Sequence, residues 1–191
     1  ERDYQLASGL SQDVETDDSV LRQTSARLPW LLIGMLGGIG NSMILGNFDT
    51  TFAAHPEMAL YIPLIGGTGG NVGTQSSALV VQGLANSSLD ANNTWKQILK
   101  ESVVALINAT IISMLVYIYN FIRFGATATV SYSVSLSLFA VVMFASIFGT
   151  LVPMTLEKLK IDPAIATGPF ISITNDIIGM MLYMGITVLL S

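Results

Sequence analysis

Five long apolar stretches constrain the fold of this 191-residue chain more than any other feature of the sequence. About 20 consecutive apolar residues are enough to cross the hydrocarbon core of a bilayer, and each stretch reaches that length. Only helices and closed barrels satisfy the backbone inside a membrane, and these stretches lack the strict alternation of barrel strands. The sequence therefore predicts an all-α integral membrane protein with five transmembrane helices. The stretches are residues 28–48, 56–85, 98–124, 132–156 and 163–190.

The composition agrees with a membrane protein and excludes several functions. Charged residues make up 11% of the chain, whereas soluble domains carry about 25%. The chain has no cysteine and one histidine, His55, which excludes disulfides, thiolate metal sites and metal sites built from several histidines. The formal net charge of −5 gives no indication of nucleic-acid binding. No plausible nucleophile–base pair is present, so we expect no enzymatic activity.

The distribution of Lys and Arg predicts the orientation of the chain. Cytoplasmic loops carry an excess of these residues. With the N-terminus in the cytoplasm, seven of them lie inside and Arg123 alone lies outside. We therefore expect a cytoplasmic N-terminus and an external C-terminus, with residues 1–27 forming an acidic juxtamembrane or connecting helix. Because the sequence begins at Glu1, we also expect a further part upstream. The seven inner residues are Arg2, Arg22, Arg27, Lys96, Lys100, Lys158 and Lys160.

One ionisable residue, Asp176, lies near the centre of the last apolar stretch. A charge at mid-membrane costs at least about 2.5–3.5 kcal/mol, and such residues usually face a bundle interior, a cavity or an ion path. The other acids lie in tails, connections or the ends of apolar stretches. Since no Lys or Arg lies inside a span to pair with it, the Asp176 carboxylate needs a mobile cation, a proton or water. The alternative is a structural aspartate, held by hydroxyl groups or kept protonated by burial.

Helical spacing places Asp176 on a small, polar stripe of the last helix. Ser172 lies one turn before it and Gly168 two turns before it. Gly179 and Tyr183 follow Asp176 on nearly the same face. The proline after Gly168 should interrupt the helix and free backbone carbonyls beside it.

A glycine-rich run in the second stretch permits two interpretations. Gly66/Gly70 and Gly69/Gly73 have the GxxxG spacing that lets transmembrane helices approach closely. The same absence of side chains can expose backbone carbonyls to a water-filled path. The polar side chains beside the glycines favour cavity lining, because their neutral oxygens suit hard cations such as Mg2+ and Ca2+. These side chains belong to Asn71, Thr74, Gln75, Ser76 and Ser77.

Two groups of residues carry a family resemblance. The first runs from residue 63 to residue 85 and centres on the sequence GGNVGTQS at residues 69–76. The second lies in and before the last helix. It comprises Asp162-Pro163-Ala164, Gly168-Pro169-Phe170, Asp176 and Gly179. Together they resemble the transmembrane domain of the MgtE family of magnesium channels and transporters, over residues 28–191.

The resemblance implies a five-helix ion-transport domain that works as a homodimer in a bacterial-type plasma (inner) membrane. The transported ion would be Mg2+, bound in a pore at the dimer interface by Asp176 of both subunits, largely through retained water. Some family members carry an amide side chain where this chain has Gly168. The pore-lining residues expected from the resemblance and its signature are Gly168, Ser172, Asn71, Gly70, Thr74 and Gln75.

The leading hypothesis is therefore a magnesium or divalent cation channel or transporter driven by the membrane potential. The potential supplies about 2.3 kcal/mol per charge per 100 mV, so a divalent ion gains about 4.6 kcal/mol over the same drop. A proton- or sodium-coupled divalent cation exchanger is the alternative, and it predicts a flux that follows the coupling gradient. A non-transporting membrane scaffold is an alternative of a different class. It predicts no flux and an Asp176→Asn variant that still folds.

Overall fold

A computed structural model describes residue 5 and residues 8–125, 128–166 and 168–191, and the regular secondary structure of this part is entirely helical. The predicted all-α fold is confirmed for these residues. Arg2, which contributes to the predicted orientation, lies outside them. The described α-helices are α1 (Val20–Gly46), α2 (Asp49–Ala54), α3 (Ile62–Ala85), α4 (Thr94–Phe124), α5 (Thr129–Lys158) and α6 (Pro169–Leu190). Short 3-10 turns at Pro56–Tyr61, Ala91–Asn93 and Pro163–Ala166 precede α3, α4 and α6.

Four of the described helices, α1, α4, α5 and α6, are long and apolar enough to cross a membrane. Helix α3 has 24 residues, which gives it a length of about 36 Å at the usual rise per residue. It does not qualify by composition, because its glycine, serine and amide residues lower its mean hydropathy. Five crossings and the orientation of the termini therefore stay predictions.

Helix α1 begins before the predicted first span. The Oγ of Ser19 accepts a hydrogen bond from the backbone N–H of Arg22 at 3.4 Å and so caps the helix. Asp18 forms an ion pair with Arg22 at 2.8 Å, one turn along. The helix therefore starts at Val20 and continues through residue 27, so only residues 20–27 of the predicted connecting segment share a helix with the first span, and residues 8–19 lie outside it.

Helix α5 lies at the centre of the bundle. It packs against α3, α4 and α6, and α6 also packs against α3 and α1. Five serines of α5 are buried, and the hydroxyl of Ser113 in α4 donates to the carbonyl of one of them, Ser135, at 2.7 Å. Large apolar side chains on α1 and α4 are exposed. In a bilayer those exposed faces would contact lipid.

Two tyrosines hold the start of α3 against its neighbours. The Tyr183 hydroxyl of α6 donates to the backbone carbonyl of Met58 at 2.7 Å. The Tyr61 hydroxyl donates to the side-chain oxygen of Asn120 in α4. Met58 and Tyr61 belong to the 3-10 turn before α3, so these bonds fix where α3 starts relative to α6 and α4. The glycine run of α3 is thereby set opposite the middle of α6.

The predicted interruption before α6 is confirmed. Gly168 has a φ of +55°, a conformation that glycine adopts without steric cost, and Pro169 is the first residue of the helix. The carbonyl of Gly168 is not free, however, because it accepts a hydrogen bond from the backbone N–H of Ser172 at 2.9 Å. The Gly168–Pro169 pair therefore acts here as a helix start.

Candidate cation site at Asp176

The side chain of Asp176 faces a cavity of about 300 Å3 between α1, α3 and α6. The carboxylate is half-buried and belongs to the eighth residue of α6, in the first half of the helix. The cavity brings together residues that are far apart in the sequence, and three of the predicted pore-lining residues are among them. The polar and glycine residues that line it are Asn41, Gly66, Gly67, Gly70, Asn71, Ser172 and Asp176.

Two glycines of α3 let the carboxylate approach the helix backbone. A Cβ atom at Gly66 would lie 3.3 Å from Oδ1 of Asp176. A Cβ atom at Gly70 would lie 2.9 Å from Oγ of Ser172 and 3.6 Å from the same Oδ1. Any side chain at these positions would therefore fill the space in front of the carboxylate. The absence of side chains keeps the cavity open.

The Asp176 carboxylate has no protein counter-charge in the described part of the chain. Neither ion pair found there involves it, and no described side chain or backbone group donates a hydrogen bond to it. Transferring an ionised carboxylate out of water without a partner is costly, and the cost falls when a cation, a proton or water is supplied. The geometry therefore leaves the position beside Oδ1 open to one of these.

Asn41 of α1 lines the same cavity, and the sequence did not single it out. Its side-chain oxygen Oδ1 is buried and has no hydrogen-bond partner among the described residues. A buried amide oxygen is normally satisfied by protein or water. Asn41 therefore brings a further oxygen-bearing side chain to the lining of the cavity that contains Asp176. The polar pair Asn41-Ser42 within the largely apolar first stretch was the available signal.

The other predicted pore-lining residues lie outside this cavity. Thr74 donates its hydroxyl proton to the carbonyl of Gly70 within its own helix, at 2.8 Å. Gln75 lines a different cavity, between α3, α4 and α5. Gly168 caps the start of α6, two turns from Asp176. Their predicted roles in a pore stay predictions.

The expected stripe around Asp176 is shorter than the sequence indicated. Gly179 and Tyr183 are buried in the apolar core, where a Cβ atom at Gly179 would meet Val141 and Ile65. Tyr183 lies seven residues from Asp176, which is about 10 Å along the helix and therefore past the end of the cavity. Met180 lines the cavity in their place.

The second GxxxG pair of α3, Gly69 and Gly73, faces the packed side of the bundle. A Cβ atom at Gly69 would lie 2.9 Å from Val141 of α5. A Cβ atom at Gly73 would collide with the amide of Asn175 in α6, and one at Gly149 of α5 would collide with the backbone carbonyl of Gly73. The sequence permits two interpretations of the glycine run, close packing and cavity lining, and each of them applies to one glycine pair. Gly66 and Gly70 line the cavity, and Gly69 and Gly73 allow close packing.

The donor set fits a hydrated hard cation better than a directly ligated metal. Among the described residues no group of three or more His, Cys, Asp or Glu side chains could hold a metal ion. One carboxylate with neutral oxygens suits Mg2+, which gives up its water reluctantly and commonly binds through one or two carboxylates. The cavity has room for such an ion, because a water molecule takes about 30 Å3 of liquid volume.

Much of the chain matches a known protein family. Residues 62–186 match the family model MgtE, described as a divalent cation transporter. The match includes the glycine run, Ser172 and Asp176. The chain belongs to the MgtE family. This confirms the resemblance carried by the two signature groups, and together with the long apolar helices it identifies a multi-pass membrane protein.

Three relatives within the MgtE family are each named magnesium transporter MgtE. The protein of Bacillus subtilis is 31% identical over 186 residues, covering 97% of this chain and 41% of the relative. The Thermus thermophilus protein is 33% identical over 165 residues, covering 86% of this chain and 36% of the relative. The Enterococcus faecalis protein is 29% identical over 184 residues, covering 96% and 40%. The chain thus spans about two fifths of the length of these relatives.

A second acid was missed by sequence reasoning. Glu101 was grouped with the acids at the ends of apolar stretches, but it is buried and accepts a hydrogen bond from the Ser76 hydroxyl at 2.6 Å. Glu101 is the eighth residue of α4 and lies near the start of the third apolar stretch, so its burial could not be predicted from its position in the sequence. The only available signal was the polar run of α3 that it contacts.

Proposed function

We propose that this chain transports Mg2+ across a membrane, and that the ion passes Asp176. The observation that carries the proposal is the unpaired Asp176 carboxylate, which shares one cavity with the unsatisfied amide oxygen of Asn41. The three relatives bear the name magnesium transporter, which supports Mg2+ as the ion. The family model that matches residues 62–186 is described as a divalent cation transporter, which also supports a divalent cation as the transported ion.

The ion would be held through its own water shell. Mg2+ prefers octahedral oxygen coordination and keeps several waters when protein carboxylates are few. Asp176 and Asn41 would accept hydrogen bonds from those waters, and Ser172 and Asn71 would offer further oxygens. Binding of this kind leaves the ion free to move on, because no set of direct protein ligands has to be broken.

The membrane potential is sufficient to drive an inward flux. A divalent ion gains about 4.6 kcal/mol per 100 mV, so no chemical energy source is required. A coupled exchanger remains the alternative mechanism at the same site, with a proton or Na+ occupying Asp176 in turn. A flux that follows the membrane potential supports the channel, and a flux that follows the pH or Na+ gradient supports the exchanger.

We further propose that the working unit is a homodimer with its pore beside α3. Pro63, Gly67 and Asn71 form an exposed strip along α3 at the edge of the Asp176 cavity. An exposed amide is unfavourable in lipid, and a second copy would cover it. Two Asp176 carboxylates brought close together would repel each other unless a cation or proton lay between them. The GxxxG pairs of α3 do not support the dimer, because both face the same chain: Gly66 and Gly70 line the Asp176 cavity, and Gly69 and Gly73 pack against α5 and α6.

Mg2+ uptake into liposomes tests the function of Asp176. Wild type, Asp176→Asn and the control Asp49→Asn are reconstituted in equal amounts, and uptake is measured at a fixed membrane potential. Asp49 is an exposed acid in α2, outside the cavity. We expect uptake by wild type and Asp49→Asn and loss of uptake in Asp176→Asn. Equal uptake by all three proteins would refute the role of Asp176, and no uptake by any would favour a scaffold.

Disulfide cross-linking tests the dimer separately. The chain has no native cysteine, so single cysteines can be introduced without background. Gly67→Cys lies on the exposed strip of α3, and Leu115→Cys lies on the exposed apolar face of α4. We expect oxidation to cross-link Gly67→Cys into dimers more efficiently than Leu115→Cys. Equal or reversed efficiencies would place the interface elsewhere.

A further inference from the structure

A second polar cavity, of about 450 Å3, lies between α3, α4 and α5. It is formed by a different face of α3 from the one that lines the Asp176 cavity, because Ser76 is six residues from Gly70 and therefore about 120° around the helix. Its lining is rich in oxygen-bearing side chains. Those that matter here are Gln75, Ser76, Gln97, Glu101, Asn108 and Ser146.

Glu101 is the charged centre of this cavity. The residue is 9% exposed, and its Oε1 accepts a hydrogen bond from the Ser76 hydroxyl at 2.6 Å, which links α4 to α3. No described basic side chain forms an ion pair with it. One hydroxyl donor does not compensate a buried carboxylate charge, so a cation, a proton or water is needed to complete the site.

The chemistry of the lining selects the type of cation. Carboxylate, hydroxyl and amide oxygens are ligands for hard cations, and the chain has no cysteine that would favour a softer metal. The cavity is larger than the one at Asp176, so it can hold an ion with its water shell. We propose that the Glu101 cavity binds a hydrated divalent cation of the Mg2+ class, as a second site separate from Asp176.

Lys100 is the competing partner for Glu101. It is exposed and lines the same cavity, but adjacent residues on a helix point about 100° apart, and no ion pair joins the two. Its long side chain could still reach the carboxylate in place of a cation. The test therefore has to separate a bound ion from a lysine counter-ion.

Binding of Mn2+ alone, measured by electron paramagnetic resonance on the full 191-residue chain, tests the proposal. Mn2+ favours the same octahedral oxygen coordination as Mg2+ and is visible to the method. Asp176→Asn serves as the background, which removes the first site and makes the result independent of its role. In this background we expect Mn2+ binding that Glu101→Gln weakens about 10-fold or more, an effect of the size seen when groups that support a metal site are removed.

Two controls make the result specific to the cavity. Glu157→Gln applies the same substitution to an exposed acid at the end of α5 and should leave Mn2+ binding unchanged. The amide oxygen of Glu101→Gln can still accept from Ser76, so the variant should elute and melt like its parent. Equal binding with and without Glu101→Gln would overturn the proposal. So would Mn2+ binding that arises only after Lys100→Gln, because Lys100 would then be the native counter-ion.

Discussion

The two glycine pairs of α3 have the same spacing, but one pair is closely packed against other helices and the other faces a cavity. Gly69 and Gly73 are buried against α5 and α6, where an added Cβ atom would meet Val141 or collide with Asn175. Gly66 and Gly70 face a cavity, and an added Cβ atom there would approach the polar atoms of Asp176 and Ser172. Close packing requires glycine because no space exists, whereas the cavity requires glycine because space has to be kept.

We therefore expect substitutions at the two glycine pairs to affect different properties, the stability of the bundle at Gly69 and Gly73 and transport at Gly66 and Gly70. Substitutions on the packed face should lower the stability of the helix bundle, because protein interiors are close-packed and resist added volume. Substitutions on the cavity face should mainly change what can occupy the space before the carboxylate. The contrast gives four predictions, in order of decreasing effect.

Gly149→Ala should be the most disruptive change. Its Cβ atom would collide with the backbone carbonyl of Gly73, and backbone cannot move aside without shifting a helix. We expect a loss of about 3 kcal/mol or more, at the upper end of overpacking costs. Thermal denaturation in detergent and size-exclusion chromatography would measure it. A variant that melts and elutes like wild type would show that α3 and α5 are not in contact at this point.

Gly73→Ala should destabilise the bundle by about 1–3 kcal/mol, because the atoms nearest to its Cβ atom belong to the side chains of Asn175 and Ile171, which can move more easily than backbone. Thermal denaturation beside Gly149→Ala checks the order of the two. The double variant Gly73→Ala/Asn175→Ala should recover part of the lost stability, since it removes the colliding amide. Lack of recovery would contradict the assigned contact.

Gly70→Ala should affect transport more than stability. Its Cβ atom would lie 2.9 Å from Oγ of Ser172 and 3.6 Å from Oδ1 of Asp176, so both polar atoms would have to shift within an open cavity. We expect a stability change below about 1 kcal/mol and Mg2+ uptake reduced about 10-fold or more. Parallel melting and uptake measurements would check this. A large loss of stability with unchanged specific uptake would reverse the assignment of the two faces.

Gly185→Ala should have the smallest effect. Among the described residues, no heavy atom apart from the chain neighbours and backbone of its own helix lies within 4 Å of a Cβ atom placed there. Alanine is favoured over glycine in a helix by about 0.5–1 kcal/mol. We expect wild-type uptake and equal or slightly higher thermal stability. A clear loss of uptake would indicate that this end of α6 contacts something outside the chain.

The sequence predicted the all-helical fold and singled out Asp176, but it did not predict which residues of other helices meet Asp176. Helical period places Ser172 on the Asp176 face, and both line the cavity. Gly66 and Gly69 differ by only about 60° around the helix, so the period alone could not decide which of them faces Asp176 and which faces Val141. Asn41 and Glu101 depend on contacts between helices that are distant in sequence, which a pattern within one helix does not contain.

The most direct test of the central claim is to locate the ion. A structure of the chain determined in Mn2+ would reveal the metal by its anomalous scattering. We expect a peak in the cavity beside Asp176, about 4–5 Å from its carboxylate oxygens, the distance for an ion held through one layer of water. That peak should disappear in Asp176→Asn. An ordered metal elsewhere in the bundle, with the Asp176 cavity empty or its peak unchanged in Asp176→Asn, would contradict the account.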